Sequence, residues 1–233
     1  MSEEIVDYTI SGSIAFITMD DGKVNALSHP MIEALHKALD RAEAEADAVV
    51  LAGRPGRFSA GFDMRVMTAG PDAVRELLTA GSELLLRIYG FPKPVVMAGT
   101  GHAIAGGVLL LATGDTRIGV RGDFKLGLNE VTNGMPVPIL AHRLASDRLT
   151  RRAFVPAVLH ATMYDPEGAV EAGWLDAVTS SDALLADATA EAQRLAALPA
   201  AAYALTKGSI RRESIEHIRS TLQSDLTALT GAF

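Results

Sequence analysis

Three stretches of the chain carry residues whose types and spacing suit carbonyl chemistry: GRFSAGFDM (56–64), AGGVLLLATGD (105–115) and LGLNE (126–130). The first two read as glycine-containing loops that leave backbone N–H groups open to close approach. The second also reads as a helix start, where orphan N–H groups and the helix dipole favour developing negative charge. The third carries a carboxylate, Glu130, able to move a proton beside them. Two N–H donors and one mobile proton stabilise an enolate. Taken singly, each stretch has a plainer reading: a connecting glycine turn, a pair of small residues for close helix packing, a surface carboxylate in a loop.

The elements that must hold these stretches follow from periodicity. Residues 5–10 and 13–19 alternate around Ser11-Gly12, a hairpin signal. Ser28 reads as the N-cap of an amphipathic helix over 29–45, with Pro30 in its first turn. The apolar run 48–52 suits a buried parallel strand. It leads into the first glycine stretch, at a strand end where open α/β sheets bind ligands. A helix over 71–89, a strand over 95–98, a helix near 103–113 and a strand over 117–120 complete an α/β pattern with crossovers. After Glu130 the pattern turns helical. Asp165, Pro166 and Gly173 punctuate a short helix, 174–178 reads as an edge segment, and Ser180 or Ser181 caps a helix to about 198. Pro199 separates that helix from a terminal helical region, 200–231. Its stripe of Ile215, Ile218, Leu222, Leu226 and Leu229 exceeds what a lone helix can hide.

Composition narrows the function classes. The 233 residues carry 48% hydrophobic and 21% charged residues, an ordinary globular balance. A net charge of −7 argues against phosphate-backbone binding, so no nucleic-acid partner is expected. The arginines at 148, 151 and 152 read as a solvated face. Cysteine is absent, which removes thiol catalysis. Residues 94–114 lack formal charge, but Gly99, Thr100, Gly101 and His102 interrupt them; they read as strand, turn and helix, with no membrane partner. The N-terminal MSEEIVDY shows no apolar signal core, and a cytoplasmic location is expected. No metal-ligand spacing, GxGxxG, Walker or Ser-His-Asp pattern is found.

Together the three stretches resemble the crotonase family, the enoyl-CoA hydratases and isomerases. The resemblance covers about residues 5–215 and is strongest over 50–135. It implies an α/β fold, a spiral of ββα units spanning 1–180. A helical C-terminal region, 181–233, would follow as oligomer contact or lid in a homotrimer or dimer of trimers. It implies an acyl-CoA substrate and no cofactor beyond coenzyme A as part of that thioester. The family pattern, a small residue before Gly-x-Asp, places Ala60 as one oxyanion N–H donor and Gly106 as the other. Phe62, Met64 and Met67 become pocket residues, with ordinary core as the alternative, and so does His102, with a satisfied structural histidine as the alternative. Asn25, Ala26, Gly61 and Asp63 fall near the coenzyme A moiety, with a structural role at a loop or helix end as the alternative for Asp63, and Lys207 falls near its phosphates, with a solvated lysine as the alternative.

One departure from the pattern is informative. Hydratases resemble one another in having two glutamates, the first three residues after the oxyanion glycine. That position here is Leu109, a pocket residue that can neither activate water nor donate a proton. The second glutamate is retained as Glu130. Adding water across a double bond suits two carboxylates; moving a double bond from β,γ to α,β needs one. The Gly-Leu-Asn-Glu stretch also resembles the mitochondrial Δ3,Δ2-enoyl-CoA isomerases. An isomerase of fatty-acid metabolism is therefore the expected activity. A hydratase on the same fold and a non-catalytic acyl-CoA-binding protein are the alternatives.

Overall fold

The computed structural model describes residues 4–230; residues 1–3, in the acidic N-terminal stretch, and 231–233, including the last position of the expected helical region 200–231, lie outside the described residues. The chain opens with the hairpin β1 (Val6–Ser11) and β2 (Ile14–Met19), turned at Gly12. Helix α1 (His29–Glu45) follows, its Met31 N–H donating to Ser28 Oγ as the sequence predicts.

Then a unit repeats: a long strand, a short strand, a helix. The first is β3 (Ala48–Ala52), β4 (Gly56–Ser59), the single-turn α2 (Met64–Met67) and α3 (Pro71–Tyr89). The second is β5 (Val95–Gly99), β6 (Gly101–Ile104) and α4 (Gly106–Ala112). The third is β7 (Thr116–Val120), β8 (Leu126–Gly127), a 3-10 turn (Val131–Asn133) and α5 (Ile139–Arg148). The chain continues through α6 (Arg151–Val158), α7 (Pro166–Ala172), β9 (Ala177–Thr179), α8 (Leu184–Ala196) and α9 (Ala200–Thr230).

The long strands form a six-stranded sheet in the order β1-β2-β3-β5-β7-β9, parallel from β2 onward. Both faces are covered, so β3 and β5 are apolar throughout rather than alternating. Val49, Leu51, Val95 and Met97 face the main core beside α1, α3 and α4. Ala48, Val50, Val96 and Ala98 face a second core closed by α8.

The short strands form a second, three-stranded parallel sheet, β4-β6-β8. Sequence reading misses this sheet because strands of two to four residues give no period to detect. The expected helix near 103–113 is corrected accordingly: Gly101–Ile104 pair as β6, and the helix begins at Gly106. Likewise Trp174 and Leu175 are core residues and the edge strand lies at Ala177–Thr179, while α8 starts at Leu184 without a serine cap. Of the three arginines, Arg148 turns inward, donating from Nε to Ala112 O (2.8 Å) and from Nη2 to Gly114 O (2.6 Å).

The second sheet is what gathers the three chemical stretches. Because β4, β6 and β8 are parallel neighbours, the segments leaving their C-terminal ends lie side by side. Those segments are 60–63, 105–107 and 128–130.

Candidate active site

A cavity of about 460 Å³ opens where the three segments meet. Its lining includes Ala60, Phe62, Met64, Met67, Ala105, Gly106, Leu109, Asn129 and Glu130. Leu78 and Ser82 of α3 extend the wall, as do Met135, Pro136 and Pro138 of the loop after Glu130. Leu222, Asp225, Leu226 and Leu229 of α9 close it. The α9 stripe is thus largely hidden within its own chain, packed on α3 and α5.

The first loop corrects the expectation for Ala60. Its N–H is already committed, donating to Val24 O at 3.0 Å, and the Gly61 N–H points at Ser59 Oγ at 3.2 Å. Leu27 pairs on either side of Phe62, its N–H donating to Gly61 O and its carbonyl accepting from Asp63 N–H. The Phe62 N–H therefore faces away from that pairing and meets no acceptor among the described residues. The loop lines the cavity, but its free N–H is that of Phe62 rather than Ala60, because which N–H stays free depends on the register with residues 24–27.

The second loop is built by strain and close approach. Ala105 adopts φ 52° and ψ −125° immediately before α4, a conformation that costs a non-glycine residue roughly 1–3 kcal/mol. It turns the chain so that Gly106, as the first residue of α4, has no intrahelical acceptor for its N–H. The neighbouring Gly107 packs against Ser59 O so closely that a Cβ there would collide. Gly61 and Gly106 also touch: a Cβ on Gly61, itself at φ 89°, would lie 2.9 Å from Gly106 N. Two unpaired donors, on Phe62 and Gly106, thus stand on adjoining backbone segments at the cavity wall.

Glu130 completes the set. It is 9% exposed, and its Oε2 is buried with no hydrogen-bond partner. Burial pushes its carboxyl above the ordinary glutamate range, opposed only partly by the N–H groups of Glu130 and Asn129. Leu109, one turn into α4, is buried and presents hydrocarbon to the cavity.

The remaining residues singled out from sequence lie off the cavity. His102 accepts from Lys125 N–H at 3.0 Å through Nδ1 and meets Phe124 edge-on, so of its two readings the structural histidine holds and the pocket residue is corrected. Asn25 is fully buried at φ 52° and donates through Nδ2 to the carbonyls of Met19, Arg57 and Phe58, shaping the first loop from beneath. The adjacent Ala26 N–H donates to Asp21 Oδ2. Asp63 caps α2 and pairs with Arg65. Lys207 is neither solvated nor at the cavity: its Nζ lies 2.6 Å from Asp115 Oδ2, and Arg211 holds the other oxygen at 2.7 Å. Burial pushes Lys207 down to about 8 despite that carboxylate. The sequence reading also missed the loop 133–138 as cavity wall; its Pro136 and Pro138 were the available signal of a non-helical excursion.

A family model described as enoyl-CoA hydratase/isomerase matches residues 9–232. The chain belongs to that family. Members act on acyl-CoA thioesters, and the two-sheet α/β arrangement is the crotonase fold. Rat mitochondrial enoyl-CoA delta isomerase 1 is 26% identical over 231 residues, covering 97% of this chain and 80% of the relative. An enoyl-CoA hydratase/isomerase family protein from Pseudomonas syringae superposes with a TM-score of 0.94 at 39% identity, covering 97% and 98% of the two chains. A Mycobacterium tuberculosis protein, named an enoyl-CoA isomerase in one structure and a probable enoyl-CoA hydratase in another, superposes in the first with a TM-score of 0.92. It is 38% identical, covering 97% of this chain and 98% of that one. Relatives therefore carry both activity names, and the choice between them rests on the site. Among the described residues no helix is long and apolar enough to cross a membrane.

Proposed function

We propose that this protein is a Δ3,Δ2-enoyl-CoA isomerase in which Glu130 shuttles the proton between C2 and C4 of the acyl chain. The observation that carries this reading is the pairing of Glu130, buried with a free oxygen, with Leu109 at the position where a hydratase would need a second carboxylate. The thioester oxygen sits between the N–H groups of Phe62 and Gly106. Glu130 removes a proton from C2, the oxygen takes up the negative charge as the dienolate forms, and the protonated Glu130 returns a proton to C4. The double bond moves from C3=C4 to C2=C3, and the enzyme ends as it began.

Each donor aimed at a developing oxyanion lowers the barrier by roughly 3–4 kcal/mol. A buried carboxyl with a raised pKa suits a group that must both take and give a proton. The acyl tail lies along Met67, Leu78 and the α9 leucines. Coenzyme A enters as part of the substrate, and the reaction closes without a further cofactor.

The test is a paired assay on purified protein. A 3-enoyl-CoA followed for gain of conjugation is predicted to react fast, and a 2-enoyl-CoA followed for its loss by hydration slowly. The reverse ranking would show a hydratase. Tight thioester binding without either reaction would show a binding protein.

A further inference from the structure

Asp225 stands on the cavity-facing side of α9, in step with Leu222, Leu226 and Leu229, and no sequence signal marked it. Its Oδ2 accepts the N–H of Ile139, the first residue of α5, at 2.8 Å across 86 positions of chain. Helix α5 has no local side-chain cap, because its N-cap residue is Pro138. A carboxylate at that helix start is also favoured by the dipole. Asp225 is therefore the cap of α5, delivered from another element.

What α5 anchors is the loop that carries Glu130. That loop is tied at its beginning, where Asn133 N–H and Met135 N–H donate to Glu130 O at 3.0 and 2.9 Å. From Pro136 to Pro138 no backbone N–H finds an acceptor among the described residues, and the two prolines have none to offer. The next polar anchor is Ile139 on Asp225. Glu130 itself has one oxygen unpartnered and otherwise leans on backbone N–H groups of its own loop. Its position is thus set by the loop backbone rather than by a side-chain partner.

We propose that Asp225 is a positioning residue: by capping α5 from α9 it fixes the downstream end of the 130–138 loop and so holds Glu130 at its working position in the cavity. The acceptor oxygen does the holding, and the charge is the smaller contribution. Asparagine in its place keeps an acceptor of the same reach, and alanine does not.

The experiment compares full-length wild type, Asp225→Ala and Asp225→Asn by backbone amide exchange and by kinetics with a 3-enoyl-CoA. In Asp225→Ala, exchange over 130–139 is expected to quicken about fivefold relative to the rest of the chain, the factor matching loss of a cap worth roughly 1 kcal/mol. Its kcat is expected to fall about tenfold or more, as displacement of a proton-transfer group does. Its Kd for a saturated acyl-CoA is expected to stay within twofold. Asp225→Asn is expected to restore exchange and kcat together.

Unchanged exchange at 130–139 in Asp225→Ala overturns the proposal. So does a uniform rise across the chain, or an asparagine variant that behaves like alanine. The kinetic arm rests on the isomerase reading. If wild type shows no turnover that reading fails by itself, and the exchange arm still decides whether Asp225 holds the loop.

Discussion

Replacing Gly61 by alanine tests whether the two loops work as one device. Gly61 sits at φ 89°, and an added Cβ would lie 2.9 Å from Gly106 N, 3.0 Å from Ile104 O and 3.1 Å from Ala105 Cβ. Holding a non-glycine residue in that conformation costs roughly 1–2 kcal/mol, and forcing a methyl into a packed site adds roughly 1–3 kcal/mol. A loss of about 2–5 kcal/mol corresponds to a fall in Tm of roughly 4–20 °C for a chain of this size. The catalytic loss is separate. The methyl crowds the Gly106 donor and pushes the Phe62 segment off α4. Losing one such donor lowers kcat by roughly 10²–10³.

The assay is the initial rate of conjugation of a 3-enoyl-CoA at 25 °C, with the melting curve measured alongside so that only folded protein is compared. A variant that is folded, binds the thioester and turns over within twofold of wild type would refute the reasoning that these backbone N–H groups carry the reaction. Gly208→Ala is the control. That glycine lies inside α9 with open space around it, and alanine there adds about 1 kcal/mol of stability without touching the rate.

Asp115→Ala leaves Lys207 and Arg211 buried without their shared carboxylate. The expected cost is about 3–5 kcal/mol, read by chemical denaturation. The raised pKa of Glu130 gives two signs with pH. In its proposed role as the base it must be ionised, so the acid limb of kcat/KM is expected to have its midpoint above the ordinary glutamate range. For stability, a carboxyl whose pKa is higher folded than unfolded contributes fully below its unfolded value and loses that contribution as pH rises through the folded value. Glu130→Gln is therefore expected to raise Tm at pH 8 and leave it unchanged at pH 4. Leu109→Glu places a second carboxylate one turn past Gly106, and at least a tenfold gain in hydration of a 2-enoyl-CoA is expected, since a positioned acid–base group contributes roughly 10²–10⁴.

Much of this site was legible before the fold, for identifiable reasons. The glycines at 61, 106 and 107 are required by close backbone approach, so their spacing survives as a pattern. The long strands show because both faces are buried, and α1 and α3 because their apolar faces repeat with helical period. Register is what stayed hidden. Whether Ala60 or Phe62 keeps a free N–H is decided by pairing with residues 24–27, thirty-odd positions away. His102 alternates out of the second sheet, and its distance along the chain from Gly106 says nothing of that. Lys207 reads as a surface cation until Asp115 is brought beneath it. The α9 stripe announced burial but not against what, so Asp225 among its leucines carried no signal.

The most direct test is Glu130→Gln, which keeps shape and removes the proposed proton-transfer group. A saturated acyl-CoA is expected still to bind with Kd near that of wild type while conjugation of a 3-enoyl-CoA falls by at least three orders of magnitude. Turnover that persists in the folded variant would contradict it, and would place the proton with another group in the cavity.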